Sequence, residues 1–329
     1  MSRVKRLTLT AACAVAIACP VDDAAGSGSP LGYAITAVGF RSYFIFDASP
    51  GETVRGTLRV VNLTSEPRTI VLAPVDVSTA AAGGLQYGNG RPHREGRWLT
   101  LTARSAGLPG SGSSDVPFAV KVGRNARPGE HFLGIAAVDR RVLKQRVGGR
   151  GPIRLRVIPR LAMTIEVRLP GKRKSMLSLG AMNIAVAPSG ATLAMQISNP
   201  ANTLISETTG SLTVSQGATP LFTQDTTLAA FVPKTAITYH VPWVGTPVEG
   251  NYRVKGVLRP AGARPIVFDR TVRFGGGAIR KYRQQTGRQA EESSGTPIVL
   301  LVVLGLALAL AVTFGFAYIR ARRQLRDRG

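Results

Sequence analysis

The residues of this sequence best suited to catalysis or metal binding are few and widely separated. Its three histidines are His93, His131 and His240, and none has another histidine or a cysteine at the spacing of a zinc site. His131 follows Glu130, but neighbouring side chains of a strand point to opposite faces, so this pair cannot act together directly. We interpret His131 as an exposed residue at the start of a strand. The sequence therefore predicts no catalytic residue, no metal site and no cofactor.

The two cysteines, Cys13 and Cys19, lie in an N-terminal segment with the pattern of a secretory signal. Basic residues precede a short apolar run, and small residues follow it at a suitable place for cleavage. We assign residues 1–26 to this signal, so the mature chain has neither a thiol nor a disulfide although it is exported. A cysteine peptidase mechanism is thereby excluded. Lipidation of Cys19 stays open, because the sequence before it matches a lipobox poorly.

The other end of the sequence predicts a membrane anchor. Residues 296–319 carry no charge and would form a helix of about 36 Å, longer than the hydrocarbon core of a bilayer. Residues 320–329 contain five arginines. Positive charge beside a membrane span indicates the cytoplasmic side. We expect one transmembrane helix, a basic cytoplasmic tail and an extracytoplasmic N-terminal part. The polar, Gly-rich residues 275–295 predict a flexible stalk between that part and the membrane.

The exported part indicates strands rather than helices. Short apolar or alternating runs, such as residues 53–63 and 68–77, are separated by turn residues. The intervals of about ten residues are typical of antiparallel β-sandwiches. The sequence predicts an all-β fold: two tandem Ig-like antiparallel β-sandwiches, residues 31–170 and 175–274, plus one C-terminal transmembrane α-helix.

A loose internal repeat supports two domains of similar plan. Residues 187–214 repeat the pattern of residues 49–72: a turn with Gly, an apolar strand, an asparagine and a second strand. Residues 247–260 repeat that of residues 126–138, again with a turn, a Gly, an aromatic residue and a strand. Such self-similarity indicates that one structural unit occurs twice.

Several stretches resemble the peptidoglycan-binding domain of WxL-interacting proteins. They are Pro50-Gly51-Glu52, "LRVVNLTSEPRTIVL" (58–72), Trp98, "VPFAVKVGRNARPGEHFLGIAAV" (116–138) and "IRLRVIPRLAMTIEVRLPG" (153–171). The order of signal, two Ig-like domains, single helix and basic tail is also similar to that family. The resemblance implies a protein that faces the wall of a Gram-positive bacterium. It also implies a first domain associated with peptidoglycan and a second associated with partner proteins.

Positive charge is concentrated between Arg140 and Lys174, which enclose 12 basic residues and one acid. In the predicted topology this belt lies outside the membrane, so we expect no nucleic acid partner and favour an anionic wall polymer. The alternative is a solvated face of an Arg-rich protein. Trp98 is either a core residue or a platform for sugar stacking. The candidate wall-binding residues are Arg140, Arg141, Lys144, Arg146, Arg150, Arg154 and Trp98.

These features predict a non-catalytic, membrane-anchored cell-surface protein of a Gram-positive-type bacterium. It would bind peptidoglycan or an anionic glycopolymer of the cell wall, a secreted partner protein, or both. Two alternatives stay open: a structural subunit of an envelope complex without a wall ligand, and an extracytoplasmic hydrolase whose carboxylates only the fold brings together.

Overall fold

The computed structural model describes residues 31–144 and 157–286, which form two compact units. Within these ranges, the first unit contains the residues up to Val77 and those of Tyr87–Lys172. The second contains Ser78–Gln86 and the residues from Arg173 onward. The described part consists mainly of β-strands with two short α-helices, so the fold is all-β.

The first unit is built from two β-sheets. Its strands are β1 (Tyr33–Ala37), β2 (Phe44–Asp47), β3 (Thr53–Asn62), β4 (Arg68–Thr79), β5 (Leu85–Tyr87), β6 (Leu99–Leu101), β7 (Ser105–Leu108), β8 (Ser113–Lys121), β9 (Gly129–Asp139) and β10 (Leu161–Leu169). One sheet has the order β1-β3-β8-β6, and the other has the order β2-β10-β9-β4-β5, with β7 also paired to β4. A 3-10 turn (Glu95–Trp98) precedes β6, and helix α1 (Arg140–Lys144) follows β9.

The alternation of side chains along these strands forms the core of the first unit. In β3, Leu58 and Val60 are fully buried, whereas Arg59 between them is exposed, as the two-residue period of a strand requires. They pack in one apolar cluster with Ile135 and Ile165 of the other sheet. One feature differs from the predicted antiparallel sandwich, because β2 runs parallel to β10.

The second unit repeats this arrangement with fewer strands. They are β11 (Ser178–Ala187), β12 (Gly190–Asn199), β13 (Thr208–Gln216), β14 (Thr219–Leu228), β15 (Thr235–Pro242), β16 (Gly250–Pro260) and β17 (Ile266–Phe274). One sheet has the order β11-β12-β15 and the other the order β14-β13-β16-β17. Leu193, Val254 and Phe274 from the two sheets are fully buried in one core.

The order of the strands is the same in both units. β9 lies between β4 and β10, as β16 lies between β13 and β17. Likewise, β3 lies between β1 and β8, as β12 lies between β11 and β15. The strands β3, β4, β8, β9 and β10 therefore correspond to β12, β13, β15, β16 and β17, in agreement with the repeat in the sequence.

A buried asparagine closes the end of β3. The Asn62 side-chain amide donates hydrogen bonds to the carbonyl oxygens of Glu66, at 2.8 Å, and Pro109, at 2.9 Å. Its Oδ1 accepts the backbone N–H and the hydroxyl of Thr64. Asn62 is 1% exposed, and its polar atoms are satisfied by these bonds to the backbone of the turn and of a distant loop. The side chain thus joins the turn after β3 to a distant loop.

Asn199 makes the same contacts at the end of β12. Its amide donates to the carbonyl oxygens of Thr203, at 2.8 Å, and Phe231, at 3.0 Å. Its Oδ1 accepts the backbone N–H of Ala201. In both units the asparagine bonds the residue two positions later, the residue four positions later and one remote carbonyl. The repeated asparagine of the sequence is therefore a repeated structural clamp.

The predicted stalk is wrong at its start, because helix α2 (Gly276–Thr286) follows β17. Tyr282 of this helix is 3% exposed and belongs to the core of the second unit. The remaining stalk residues, the signal at 1–26, the predicted span at 296–319 and the tail at 320–329 lie outside the described residues. Within residues 31–144 and 157–286, no helix has the length and apolar character needed to cross a membrane.

Candidate functional site

His131 belongs to a polar cluster in the first unit. Its Nε2 donates to the carbonyl oxygen of Arg127, four residues earlier, at 2.8 Å, and its Nδ1 lies 3.4 Å from Oε1 of Glu95. The imidazole packs against the indole of Trp98, with ring centroids 5.1 Å apart. The His131 side chain is only 16% exposed. The interpretation of His131 as an exposed residue is therefore wrong.

Tyr252 makes the equivalent contacts in the second unit. Its hydroxyl donates to the carbonyl oxygen of Val248, four residues earlier, at 2.6 Å, and its ring lies against Trp243 with centroids 4.8 Å apart. A buried tyrosine that bonds back to the chain just before its own strand fixes the corner where the strand begins. His131 occupies this corner position in the first unit.

The correspondence follows from the position of each residue in its strand. His131 and Tyr252 both come two residues after a glycine with positive φ, Gly129 at 129° and Gly250 at 154°. Backbone in this region strongly favours glycine. The internal repeat in the sequence did not align this pair, because it matched the two segments by their aromatic residues. In the first segment the aromatic residue is Phe132, which follows His131. Counting from the glycine would have aligned them correctly.

Asp76 holds the loop before β6 in place. Its carboxylate accepts the backbone N–H groups of His93, Arg94 and Gly96, at 2.8 to 3.2 Å. Burial alone would raise the pKa of Asp76, but these three hydrogen bonds and the nearby His93 together lower it. Asp76 is therefore a charged structural residue that anchors the loop, and its hydrogen-bonding capacity is already used.

Glu95 is held in a similar way. Burial alone would raise its pKa, but the hydrogen bond from His131, a backbone hydrogen bond and the charge of Arg94 outweigh that effect and lower it. A general acid needs a raised pKa so that it holds a proton near neutral pH. The electrostatics of Glu95 therefore suit an ion pair rather than proton donation.

The polar cluster around His131 shows no arrangement typical of catalysis. Both ring nitrogens of His131 face acceptors, the Arg127 carbonyl and the Glu95 carboxylate, and neither faces a hydroxyl or thiol nucleophile. A shallow groove of about 480 Å³ lies on the β1-β3-β8-β6 sheet, and no carboxylate, histidine or thiol lines it. Among the described residues, no group of His, Cys, Asp and Glu side chains could hold a metal ion.

The structure separates the candidate wall-binding residues that it describes. Arg140 and Lys144 are exposed on α1, while Arg141 bonds Oε2 of Glu66 at 2.9 Å. Trp98 is partly buried beside His131, near the opposite end of β9. Eight residues of extended strand, 132–139, lie between His131 and the first residue of α1, and these nine steps correspond to about 30 Å. Arg146, Arg150 and Arg154 lie outside the described residues.

No sequence pattern predicted the strand edge that β15 forms among the described strands of the second unit. Among the described strands, β15 pairs only with β12, in a register without a bulge. The Trp243 N–H, just after β15, donates to the carbonyl oxygen of Ala191 at 3.1 Å. Because the N–H and C=O groups of successive residues face opposite sides of a strand, this bond fixes which residues face away from β12. They are Ala236, Thr238 and His240.

The corresponding edge of the first unit is occupied. There β8 pairs with β3 on one side and with β6 on the other, and Thr100 of β6 lies opposite Ala119. Strand β6 contributes Leu99, which is 5% exposed, to the apolar core of that unit. The second unit has no described strand in this position.

Apolar and aromatic side chains surround one end of the open edge. Phe222 of β14 contacts Trp243 edge to face, with centroids 5.4 Å apart. Leu221 and Val244 beside them are 43% and 62% exposed. The hydroxyl of Tyr239 in β15 is 2.7 Å from that of Thr226 in β14, which links the two edge strands. β15 has no Asp, Glu, Lys or Arg, and Pro242 ends it.

No family model and no curated protein sequence matches this chain. Several solved structures are similar to it at low identity. The CsuC–CsuE chaperone–tip adhesion subunit complex of Acinetobacter baumannii is 9% identical, with a TM-score of 0.38, over 73% of this chain and 97% of that chain. The YadV chaperone is 10% identical, with a TM-score of 0.35, over 73% and 99%. The DraB chaperone of E. coli is 15% identical, with a TM-score of 0.33, over 72% and 98%.

These comparisons correct the assignment made from sequence. The similar structures are pilus chaperones rather than WxL-interacting proteins, so the predicted family is wrong. The wall-binding function, the wall-polymer partner and the membrane-anchored Gram-positive surface location depended on that family. They are wrong with it.

Proposed function

We propose that this chain is a non-catalytic binding protein of two tandem Ig-like sandwiches, in which β15 pairs with an extended segment of a partner protein. The observation that carries the proposal is the regular edge of β15, with which no described strand other than β12 pairs. Unpaired N–H and C=O groups along such an edge are a template for another strand. Partners that add a strand gain affinity from main-chain hydrogen bonds and specificity from alternate side chains.

The edge lacks most features that prevent such pairing. Exposed edges are usually protected by a bulge, by short length or by charged side chains. β15 has eight residues, an unbroken register and no charged residue. By contrast, the edge strand β14 carries Asp225, and its register with β13 shifts between Val214 and Ser215 of β13. Pro242 lacks an N–H and limits pairing to the residues before it. The available edge is therefore Ala236, Thr238 and His240.

The first unit shows what a strand in this position contributes. Strand β6 pairs with β8 and places an apolar side chain, Leu99, in the core. A partner segment on β15 would place its own apolar residues near Phe222 and Trp243, where Leu221 and Val244 are exposed. Burying those side chains would add to the main-chain hydrogen bonds. The fitting partner is thus an extended segment with apolar residues at alternate positions.

Several similar structures are complexes of a chaperone with a pilin or a tip adhesin. A role of that general kind, in which the chain holds a partner polypeptide, agrees with the function proposed here. Its support is the β15 edge and the apolar residues beside it, and not the weak likeness. The proposal places no catalytic step in either unit.

Replacing Thr238 by proline tests the function. The Thr238 N–H faces away from β12, so Thr238→Pro removes a donor that the β12–β15 ladder does not use. Thr238→Val is the matched control, because it changes the side chain and keeps the N–H. Displayed random linear peptides selected on the full chain are the probe. We expect selected peptides with alternating apolar residues, which bind Thr238→Val normally and Thr238→Pro about tenfold more weakly.

The fold of both variants is checked by far-UV circular dichroism and urea unfolding. Selected peptides that bind Thr238→Pro as tightly as the parent chain would contradict the proposal, provided that the variant is folded. Failure to select any peptide would also contradict it.

A further inference from the structure

We propose that a basic rim in the first unit binds an acidic stretch of a protein. The rim consists of two loops, residues 91–98 and 121–128, which together contain six Lys or Arg residues and a single acid, Glu95. This surface differs from the β15 edge and from the basic belt of residues 140–174. Its exposed cations are Arg91, Arg97, Lys121, Arg124 and Arg127.

Trp98 and His131 bring the two loops together. A Cβ built on Gly123 would lie 3.3 Å from Nε1 of Trp98, so the loops touch at this point. The Trp98 indole packs on His131, and His131 in turn donates to the carbonyl oxygen of Arg127. The cations of both loops therefore share one end of the unit. The corner histidine, which forms no catalytic arrangement, helps to build this surface.

Two carboxylates at this end, those of Asp76 and Glu95, are already engaged. Asp76 accepts three backbone N–H groups, and Glu95 faces His131 and Arg94. Among the described residues, the five exposed rim cations make no ion pair, and Arg97 makes only a long 3.4 Å contact with the Arg94 carbonyl. The two loops thus keep an excess of positive charge, with six Lys or Arg residues against Glu95. Such a field attracts an anionic partner and raises its association rate.

Arginine geometry favours carboxylates as that partner. The planar guanidinium forms two parallel hydrogen bonds with a carboxylate. This chain shows the arrangement twice, for Arg59 with Asp115 and for Arg253 with Asp269, at 2.7 to 2.8 Å. Single-stranded nucleic acid would require exposed aromatic rings between the cations. The aromatic residue of the rim, Trp98, is partly buried against His131. The rim is therefore better suited to clustered Asp and Glu side chains.

A labelled oligoglutamate peptide tests the inference with the full chain. We expect Arg97→Gln, Arg124→Gln and Arg127→Gln, combined in one variant, to weaken its binding about tenfold, because each exposed ion pair contributes about twofold to threefold. Removing three exposed cations from the second unit is the matched control and should change binding by about twofold or less. The control residues are Arg259, Arg264 and Arg273.

Three outcomes would overturn the inference. The first is an equal loss of binding in the rim and control variants, which would indicate diffuse attraction. The second is unchanged binding in the rim variant. The third is rim-dependent binding of a charge-matched polyphosphate that is tighter than the binding of oligoglutamate. The rim variant should still bind the peptides selected on β15. Failure of the rim is therefore distinguishable from failure of the proposed strand pairing.

Discussion

Replacing Asn62 by alanine should destabilise the first unit strongly. The substitution removes an amide that donates to two carbonyl oxygens and an oxygen that accepts the Thr64 N–H. A net hydrogen bond contributes about 1 kcal/mol, and the Asn62 residue that makes these bonds is itself 1% exposed. Three backbone partners give an expected loss of about 3 kcal/mol in the free energy of unfolding of that unit.

The equivalent substitution, Asn199→Ala, should cost the second unit about the same. Its side chain is fully buried and also bonds three backbone groups, those of Ala201, Thr203 and Phe231. Because the two asparagines occupy equivalent positions, similar losses would indicate that they perform the same structural work in each unit.

Urea unfolding of the full chain, followed by far-UV circular dichroism, measures both losses. Alanine at exposed asparagines is the control: Asn125→Ala in the first unit and Asn251→Ala in the second should change stability by less than about 0.5 kcal/mol. The reasoning is refuted if the clamp variants are no less stable than these controls. It is also refuted if Asn62→Ala is destabilised and Asn199→Ala is not.

Two further predictions concern Tyr252 and Glu95, the partner of the corner residue His131. Tyr252→Phe removes the hydroxyl that bonds the backbone of Val248. It should lower the free energy of unfolding of the second unit in urea by about 1 to 2 kcal/mol. No loss would mean that the ring alone fixes the corner. Glu95 has a lowered pKa in the folded state, so its contribution to stability is present above its unfolded pKa and is lost as the pH falls through the folded value. Glu95→Gln should therefore flatten the fall in stability of the first unit between about pH 6 and pH 3, and an unchanged pH profile would contradict this.

The strands could be predicted from sequence because their signals are local. The alternation around Leu58 and Val60 places one face of β3 in the core, and the structure agrees. The repeated asparagine was visible as a pattern, but its role depends on carbonyl groups as far away as Pro109 and Phe231. Only the folded chain brings those groups together.

The functional residues were harder to predict because they depend on pairing between strands. No property of residues 235–242 shows that β15 has only β12 as a neighbour among the described strands, since that depends on how the rest of the second unit pairs. In the first unit, Thr100 of β6 fills the equivalent place beside β8. The wall-binding prediction relied on charge along the sequence. Charge in sequence does not show that Trp98 and Arg140 lie near opposite ends of β9.

Hydrogen exchange along β15 tests the proposed strand pairing most directly. Nuclear magnetic resonance would follow the backbone amides of the full chain with and without a selected peptide. The account predicts that the amides of Ala236, Thr238 and His240, which face away from β12, exchange more slowly when the peptide is bound. Bound peptide that leaves the exchange of these three amides unchanged would contradict the account.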